Sequence, residues 1–387
     1  MDRFEWVCGD CGTRHARDAA RYLCPACGLG WTPGTPLQGV LEAEFDWNRI
    51  RAAFDPSHPD WTLFSAVEPE FFPPYAVGGT PLVAVPRLGA ELGLWNLRVK
   101  NDGLNPSGSL KDRASFLVVA EASRLHESRI VAASTGNAGS ALAAVCAAAG
   151  KKAVLYVPRS APRAKLLQAR LYGAELHEVD GTYDDAFRLS IEHTRRDGGL
   201  NRNTAYHPLT IEGKKTVAFE MWEQLGGAVP DAVVVPTGDG VILAGVYKGF
   251  RDLVRAGLAH RLPRLVAVQA ESSDAIHRYV HSGVYSDAPT PSTVADSISV
   301  RTPANAHMAR RAILESRGTS VAVSDREILD AQVDLARTTG IFAEPAAAAG
   351  LAGLRAVHDR FEGGQVVVLL VTGHGLKDVE APLRHLG

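Results

Sequence analysis

The run Asn105-Pro106-Ser107-Gly108-Ser109-Leu110-Lys111-Asp112-Arg113 is rich in turn formers and leads straight into an apolar-periodic stretch. Ser109 and Asp112 are spaced as an approximate capping box, which predicts a helix whose first turn holds Lys111. There the positive end of the helix dipole disfavours the ammonium form, and burial disfavours it further. A lysine so placed can attack an aldehyde and later carry a proton. The plain alternative is a solvated surface lysine, the commonest state of that side chain.

Two further segments combine glycine with small donors. Ser134-Thr135-Gly136-Asn137-Ala138-Gly139-Ser140 follows the apolar run 130–133 and opens an alanine-rich helix predicted over 141–149. Pro236-Thr237-Gly238-Asp239-Gly240-Val241 follows the run 232–235 and opens a helix predicted over 242–255. Backbone N–H groups at such helix starts receive anions, phosphate above all. Either turn alone is also an ordinary strand-to-helix connection. Near the N-terminus, Cys8-x2-Cys11 and Cys24-x2-Cys27 offer four thiolates, the donor set of a closed tetrahedral zinc site with no open position for catalysis. His15 is a fifth donor, expected to face solvent, and Cys146, alone in an alanine-rich helix, reads as a buried small apolar residue.

These residues need a scaffold, and 387 residues exceed what one hydrophobic core usually spans. Hydrophobic residues at 46% and charged ones at 22% fit an ordered globular protein. Apolar runs at 96–99, 130–133, 153–157, 232–235, 265–269 and 366–371 read as buried parallel strands, and 161–172 and 325–338 as amphipathic helices. That alternation predicts doubly wound α/β domains with ligands at the carboxyl ends of the strands. Residues 1–35 are too few and too polar to build a core and read as a zinc-ribbon-like knuckle stapled by metal. Residues 36–387 form the catalytic region, with a smaller subdomain at 112–200 inserted in a larger one covering 60–111 and 201–387. The Gly/Pro-rich stretches 73–81 and 283–303 read as loops or flaps, with 296–299 placed to cover a substrate. Glu344-Pro345 reads as helix-start chemistry.

A net charge of -2 without a basic block argues against nucleic acid, and no apolar run has spanning length. Small-molecule chemistry remains. The N-terminus shows no signal-peptide pattern, so a cytoplasmic location is expected.

In order and content, these motifs resemble those of the threonine synthase family, fold-type II pyridoxal-phosphate enzymes with two α/β domains of the tryptophan synthase beta-like type. The similarity runs from Gly79-Thr80-Pro81-Leu82 to Leu376-Lys377-Asp378. It implies that Lys111 binds pyridoxal 5'-phosphate covalently and that Asn137 bonds the ring hydroxyl. The cofactor phosphate would lie on Gly238, Asp239, Gly240, Val241 and Ile242, and Thr372 would meet the pyridine nitrogen. Ser134, Thr135 and Asn137 would present donors to the substrate carboxylate, and structural zinc would occupy Cys8, Cys11, Cys24 and Cys27. A homodimer is implied as well.

Two departures stand out. Asp239 puts a carboxylate where a phosphate is expected, so it must point away or cap the helix. The family's Asn-Ser pair and arginine, which receive the phosphate of O-phosphohomoserine, align with Thr204, Ala205 and Thr210, and replacing an arginine fork by a hydroxyl removes the strongest anchor. Lys214 or Lys215 could compensate. The activity implied is conversion of O-phosphohomoserine and water to threonine and phosphate; the alternatives are elimination or replacement at the β-carbon of serine, threonine or an activated serine, and a non-catalytic zinc-ribbon scaffold.

Overall fold

The computed structural model describes residues 3–386 except Ala20, Thr135, Ser160 and Pro162. It divides into two units, Met1–Val77 with Lys111–Lys214, and Gly78–Leu110 with Lys215–Gly387.

The first unit holds two sheets. Four parallel strands lie in the order Glu175–Val179, Lys152–Pro158, Arg129–Ala133, Leu200–Asn201. The two central ones are continuous apolar runs because helices cover both faces of a parallel sheet. The second sheet is antiparallel, Arg14–His15, Phe4–Cys8 and Leu41–Phe45. Its third strand lies beyond the expected end of the knuckle at residue 35. The cysteine-bearing segment is thereby built into this unit: Ala43 N–H donates to Glu212 Oε1 at 3.0 Å, and Arg17 reaches Glu68 at 2.6 Å and Glu121 at 3.1 Å. Glu121 belongs to the helix Lys111–Arg124.

The second unit has a six-stranded sheet in the order Thr319–Val323, Arg264–Ala270, Ala232–Pro236, Val366–Val371, Asn96–Asn101, Leu82–Ala84, parallel except for the last edge strand. Its core is aliphatic and fully buried, with Val234, Val268, Leu369, Leu351 and Leu354 among its members. The helix Asp325–Thr339 begins with a complete capping box from Ser324 and Glu327, and Gly340 ends it in the left-handed conformation. The 283–303 stretch is pinned rather than loose. Ala288 N–H donates to Arg301 O, and Ser273 Oγ donates to Ile298 O and Val300 O.

The helix expected at 161–172 spans Arg163–Leu171. Among the described residues, no helix is long and apolar enough to cross a membrane.

Candidate active site

Lys111 is the first residue of the helix Lys111–Arg124 and is half-buried. The expected capping box does not form: the Ser109 hydroxyl is buried without a partner, and Asp112 instead accepts from Tyr75 Oη at 3.0 Å. Ser109 is held by its backbone, in an antiparallel bridge to Gly373. Leu110 N–H donates to Thr372 O, His374 N–H to Gly108 O, and Lys377 Nζ to Ser107 O at 2.9, 2.9 and 3.0 Å. The loop is thus stitched to the 372–377 turn within the second unit, up to the residue before Lys111.

In the first unit, the helix Asn137–Ala148 starts four residues earlier than its alanine run suggests. Ser134 explains why, since its Oγ accepts from Gly139 N–H at 3.0 Å and, more weakly, from Gly136 N–H at 3.4 Å. An oxygen serving as acceptor keeps its own proton to give, so Ser134 can still donate to a carboxylate. A side chain at Gly136 would meet nothing within 4 Å, so the front of this turn is open. Asn137 is buried at the helix start; Thr135 lies outside the described residues.

Beside it, the turn after Leu200–Asn201 carries Thr204. Asn203, missed in the sequence because nothing local marks it, locks the two turns together: its Oδ1 accepts from Ala133 N–H at 2.8 Å and its Nδ2 donates to Ser190 Oγ at 2.7 Å. Thr210 turns out to be a staple. Its hydroxyl donates to His207 O at 2.8 Å and accepts from Ala205 N–H at 3.0 Å, holding Ala205 at φ 57°. That proton is committed to the loop, so Thr210 does not offer it to a ligand.

In the second unit, Gly240 precedes the helix Val241–Arg255 at φ 82° and brings no side chain of its own to the helix start. First-turn amides at a helix start of this kind can receive an anion. The Asp239 carbonyl accepts from Asn305 N–H at 3.0 Å. Both polar atoms of the Asn305 carboxamide are buried without a partner, an expensive state unless a further group completes them. A Cβ at Gly238 would stand 2.9 Å from Ile298 Cα, so the 296–298 turn packs directly on this loop. The donors and the glycine backbone fit a phosphate monoester. Thr372, 7% exposed, directly follows the strand Val366–Val371. Glu344 starts its helix only through the backbone: its carboxylate makes no cap and lies against Gly373.

The four cysteine sulfurs lie within 4.8 Å of one another. A tetrahedral zinc site with bonds of about 2.3 Å requires sulfurs about 3.8 Å apart, so little adjustment is needed. His15 is outside this group and half-buried rather than solvent-facing. Cys146 is buried as expected, and burial pushes its thiol up to about 12.

The family model described as pyridoxal-phosphate dependent enzyme matches residues 74–373. The threonine synthase of Methanosarcina acetivorans is 37% identical over 384 residues, 96% of this chain and 91% of its own length. That of Methanocaldococcus jannaschii is 38% identical over 312 residues, covering 79% of this chain and 77% of the relative. Among solved structures, a fungal L-serine ammonia-lyase from Rhizomucor miehei is similar with a TM-score of 0.66 at 25% identity, over 77% of this chain and 94% of that one. A helix-initial lysine, two glycine-bearing strand-to-helix turns and relatives matched over most of the chain lead to one conclusion: the chain belongs to the threonine synthase family of fold-type II pyridoxal-phosphate-dependent enzymes.

Proposed function

We propose that this enzyme converts O-phosphohomoserine and water to threonine and phosphate. The observation that carries the reading is an amine at the first position of a helix, in a chain 37% identical over 96% of its length to a threonine synthase. Lys111 would bind the cofactor aldehyde and, once released, take the substrate α-proton and return it. Gly238, Asp239, Gly240, Val241 and Ile242 would hold the cofactor phosphate, Thr372 would face the pyridine nitrogen, and Asn137 would bond the ring hydroxyl. When bound, pyridoxal phosphate supplies the electron sink for the carbanion. Ser134 and Asn137, with Thr135, would fix the substrate carboxylate, and Thr204 its far end.

A second reading, β-elimination from serine or threonine, is favoured by Thr210, whose hydroxyl is spent on its own loop. Separate incubations with O-phosphohomoserine, threonine and O-phosphoserine decide between them. Phosphate and threonine from the first are expected; a 2-oxo acid from threonine, with no phosphate from O-phosphohomoserine, would establish the second. Lys111→Ala should abolish the visible absorbance of the loaded enzyme and lower turnover by at least about 10²–10⁴-fold, the usual share of proton transfer. A variant that kept its colour would remove Lys111 from this role.

Zinc on Cys8, Cys11, Cys24 and Cys27 is part of the same proposal, as are a cytoplasmic location and, by analogy with fold relatives, a homodimer. Elemental analysis should return one zinc per chain and none after removal of the cysteines. Sedimentation tests the dimer.

A further inference from the structure

We propose that a cavity at the tail of the helix Lys111–Arg124 is a regulatory binding site for a small carboxylic acid with a short apolar chain. The site goes beyond the reading above and does not depend on it, since its occupancy can be measured whatever the reaction.

The cavity holds about 190 Å³ and lies wholly within the first unit. A cavity of about 150 Å³ accommodates benzene, so this one suits a molecule of roughly that size. Trp6 and Arg17 reach it from the cysteine-bearing segment, Arg124 and Leu125 from the end of the helix that Lys111 begins, and His207 from the turn that carries Thr204. The His207 ring supplies the donor that calls for a ligand. It is 1% exposed, its Nδ1 accepts from Leu209 N–H at 3.3 Å, and burial keeps it uncharged. The ring proton therefore sits on Nε2, and that atom is buried without a partner among the described residues. An acceptor brought into the cavity would remove the cost of leaving it so.

The charged groups of the lining set how much negative charge the occupant carries. Arg17 is bound to Glu68 at 2.6 Å and to Glu121 at 3.1 Å, and Arg124 to Asp18 and Glu121 at 2.7 Å each. Those two guanidiniums are largely neutralised. Arg21 is the loosest cation of the lining, 3.8 Å from Glu127 and with its side chain 48% exposed. Its charge is felt at His207, where it adds to burial in holding the ring neutral. One N–H and one adaptable guanidinium match the two oxygens of a single carboxylate. A phosphate dianion would instead meet Asp18 and Glu121 with too little positive charge to offset them. Leu125 and the buried Trp6, whose Nε1 donates to Arg17 O, give an apolar wall for a short hydrocarbon chain.

Occupancy of this cavity bears on the reacting groups by two routes. His207 N–H donates to Asn203 O at 3.1 Å, and Asn203 in turn holds Ala133 N–H, next to Ser134. Thr210 Oγ donates to His207 O at 2.8 Å, so the ring is tied into the same loop as Thr204. Arg124 and Leu125 form the second route, along the helix whose first residue is Lys111. Contiguous bonds of this kind can carry a coupling free energy between two sites.

The test uses the cofactor-loaded full chain and calorimetry with isovalerate, L-valine, uncharged isovaleramide and inorganic phosphate. Isovalerate should bind about 10-fold or more tighter than isovaleramide or phosphate, as expected for a hydrogen bond to a charged group. L-Valine that binds as tightly, without altering the visible band, identifies amino acids as the source of the carboxylate; weaker L-valine identifies acids without the amine, and either supports the site. Arg21→Met, a change at a half-exposed side chain, should weaken isovalerate by roughly 10-fold. Leu125→Trp, which fills the cavity, should abolish binding. Saturating isovalerate should shift the KM for the amino-acid substrate by about 5-fold or more in the unmutated enzyme and not in Arg21→Met, which separates this site from competition at the active site. Isovalerate affinity unchanged in Arg21→Met, phosphate or isovaleramide bound as tightly as isovalerate, or a KM that does not respond would overturn the proposal.

Discussion

Two strand-to-helix turns, one in each unit, are built from similar residues and start their helices in different ways. The turn at 134–137 caps itself, because Ser134 Oγ accepts from Gly139 and Gly136 N–H. The turn at 238–241 has a glycine at φ 82° as its N-cap residue and a buried carboxamide without a partner next to it. A helix start bonded by a preceding serine still has that hydroxyl proton to offer, which suits a carboxylate that must come and go. A glycine start, whose backbone a bound group can approach closely, suits a phosphate that stays.

Alanine substitutions break or sharpen this contrast. At Gly240 alanine would be strained at φ 82° and would bring its Cβ to 2.7 Å from that of Ala309. A loss of about 2–4 kcal/mol is expected, with weakened cofactor binding, by denaturant unfolding and absorbance titration. Gly136→Ala, with nothing within 4 Å of the new methyl, should lose far less. Similar losses at both positions would erase the distinction.

Acid should separate the units next. In the first, burial holds the His207 imidazole down to about 3, from an ordinary 6.5. Leu209 N–H donates to its Nδ1 at 3.3 Å, as a neutral ring requires. The unfolded chain binds a proton below 6.5 and the folded chain does not, so stability falls as pH drops through that value. By about pH 5 the loss from this group is about 2 kcal/mol, and His207→Gln should flatten the profile by that amount. In the second unit, burial alone would raise the Asp252 carboxyl, but Lys215 and Lys248 outweigh it and hold it below its ordinary 3.8. Its contribution is present above that value and is lost only as pH falls further. Unfolding midpoints followed from about pH 7 to about pH 3 test both windows. The smallest effect is Ser134→Ala, about 1 kcal/mol for a lost cap, together with a raised KM for the amino-acid substrate. A KM that stayed constant would leave Ser134 as a cap alone.

Much of this is legible in the residues. Val366–Val371 can be read to the residue because a strand covered on both faces is apolar throughout. Lys111 belongs in the first helical turn for a reason other than the one its neighbours suggest: turn residues announce the helix, but backbone bridging to Gly373 replaces the capping box. The third strand of the knuckle sheet, Leu41–Phe45, escapes the sequence because its pairing with Phe4–Cys8 crosses a long loop. Lys214 and Lys215 are indistinguishable in a sequence, since their difference lies in which unit each is buried. Thr210 looks like a ligand residue for the same reason, a hydroxyl whose partners are decided by a loop closing on itself.

Arg17 carries one last implication. It grips Glu121 about 15 Å along the axis of the helix that Lys111 begins, and grips Glu68 with the other arm of its guanidinium. A rod clamped at its tail points wherever the clamp allows. Damage to the cysteine-bearing segment would therefore be felt as a loss of aim in the amine, with every reacting group still present.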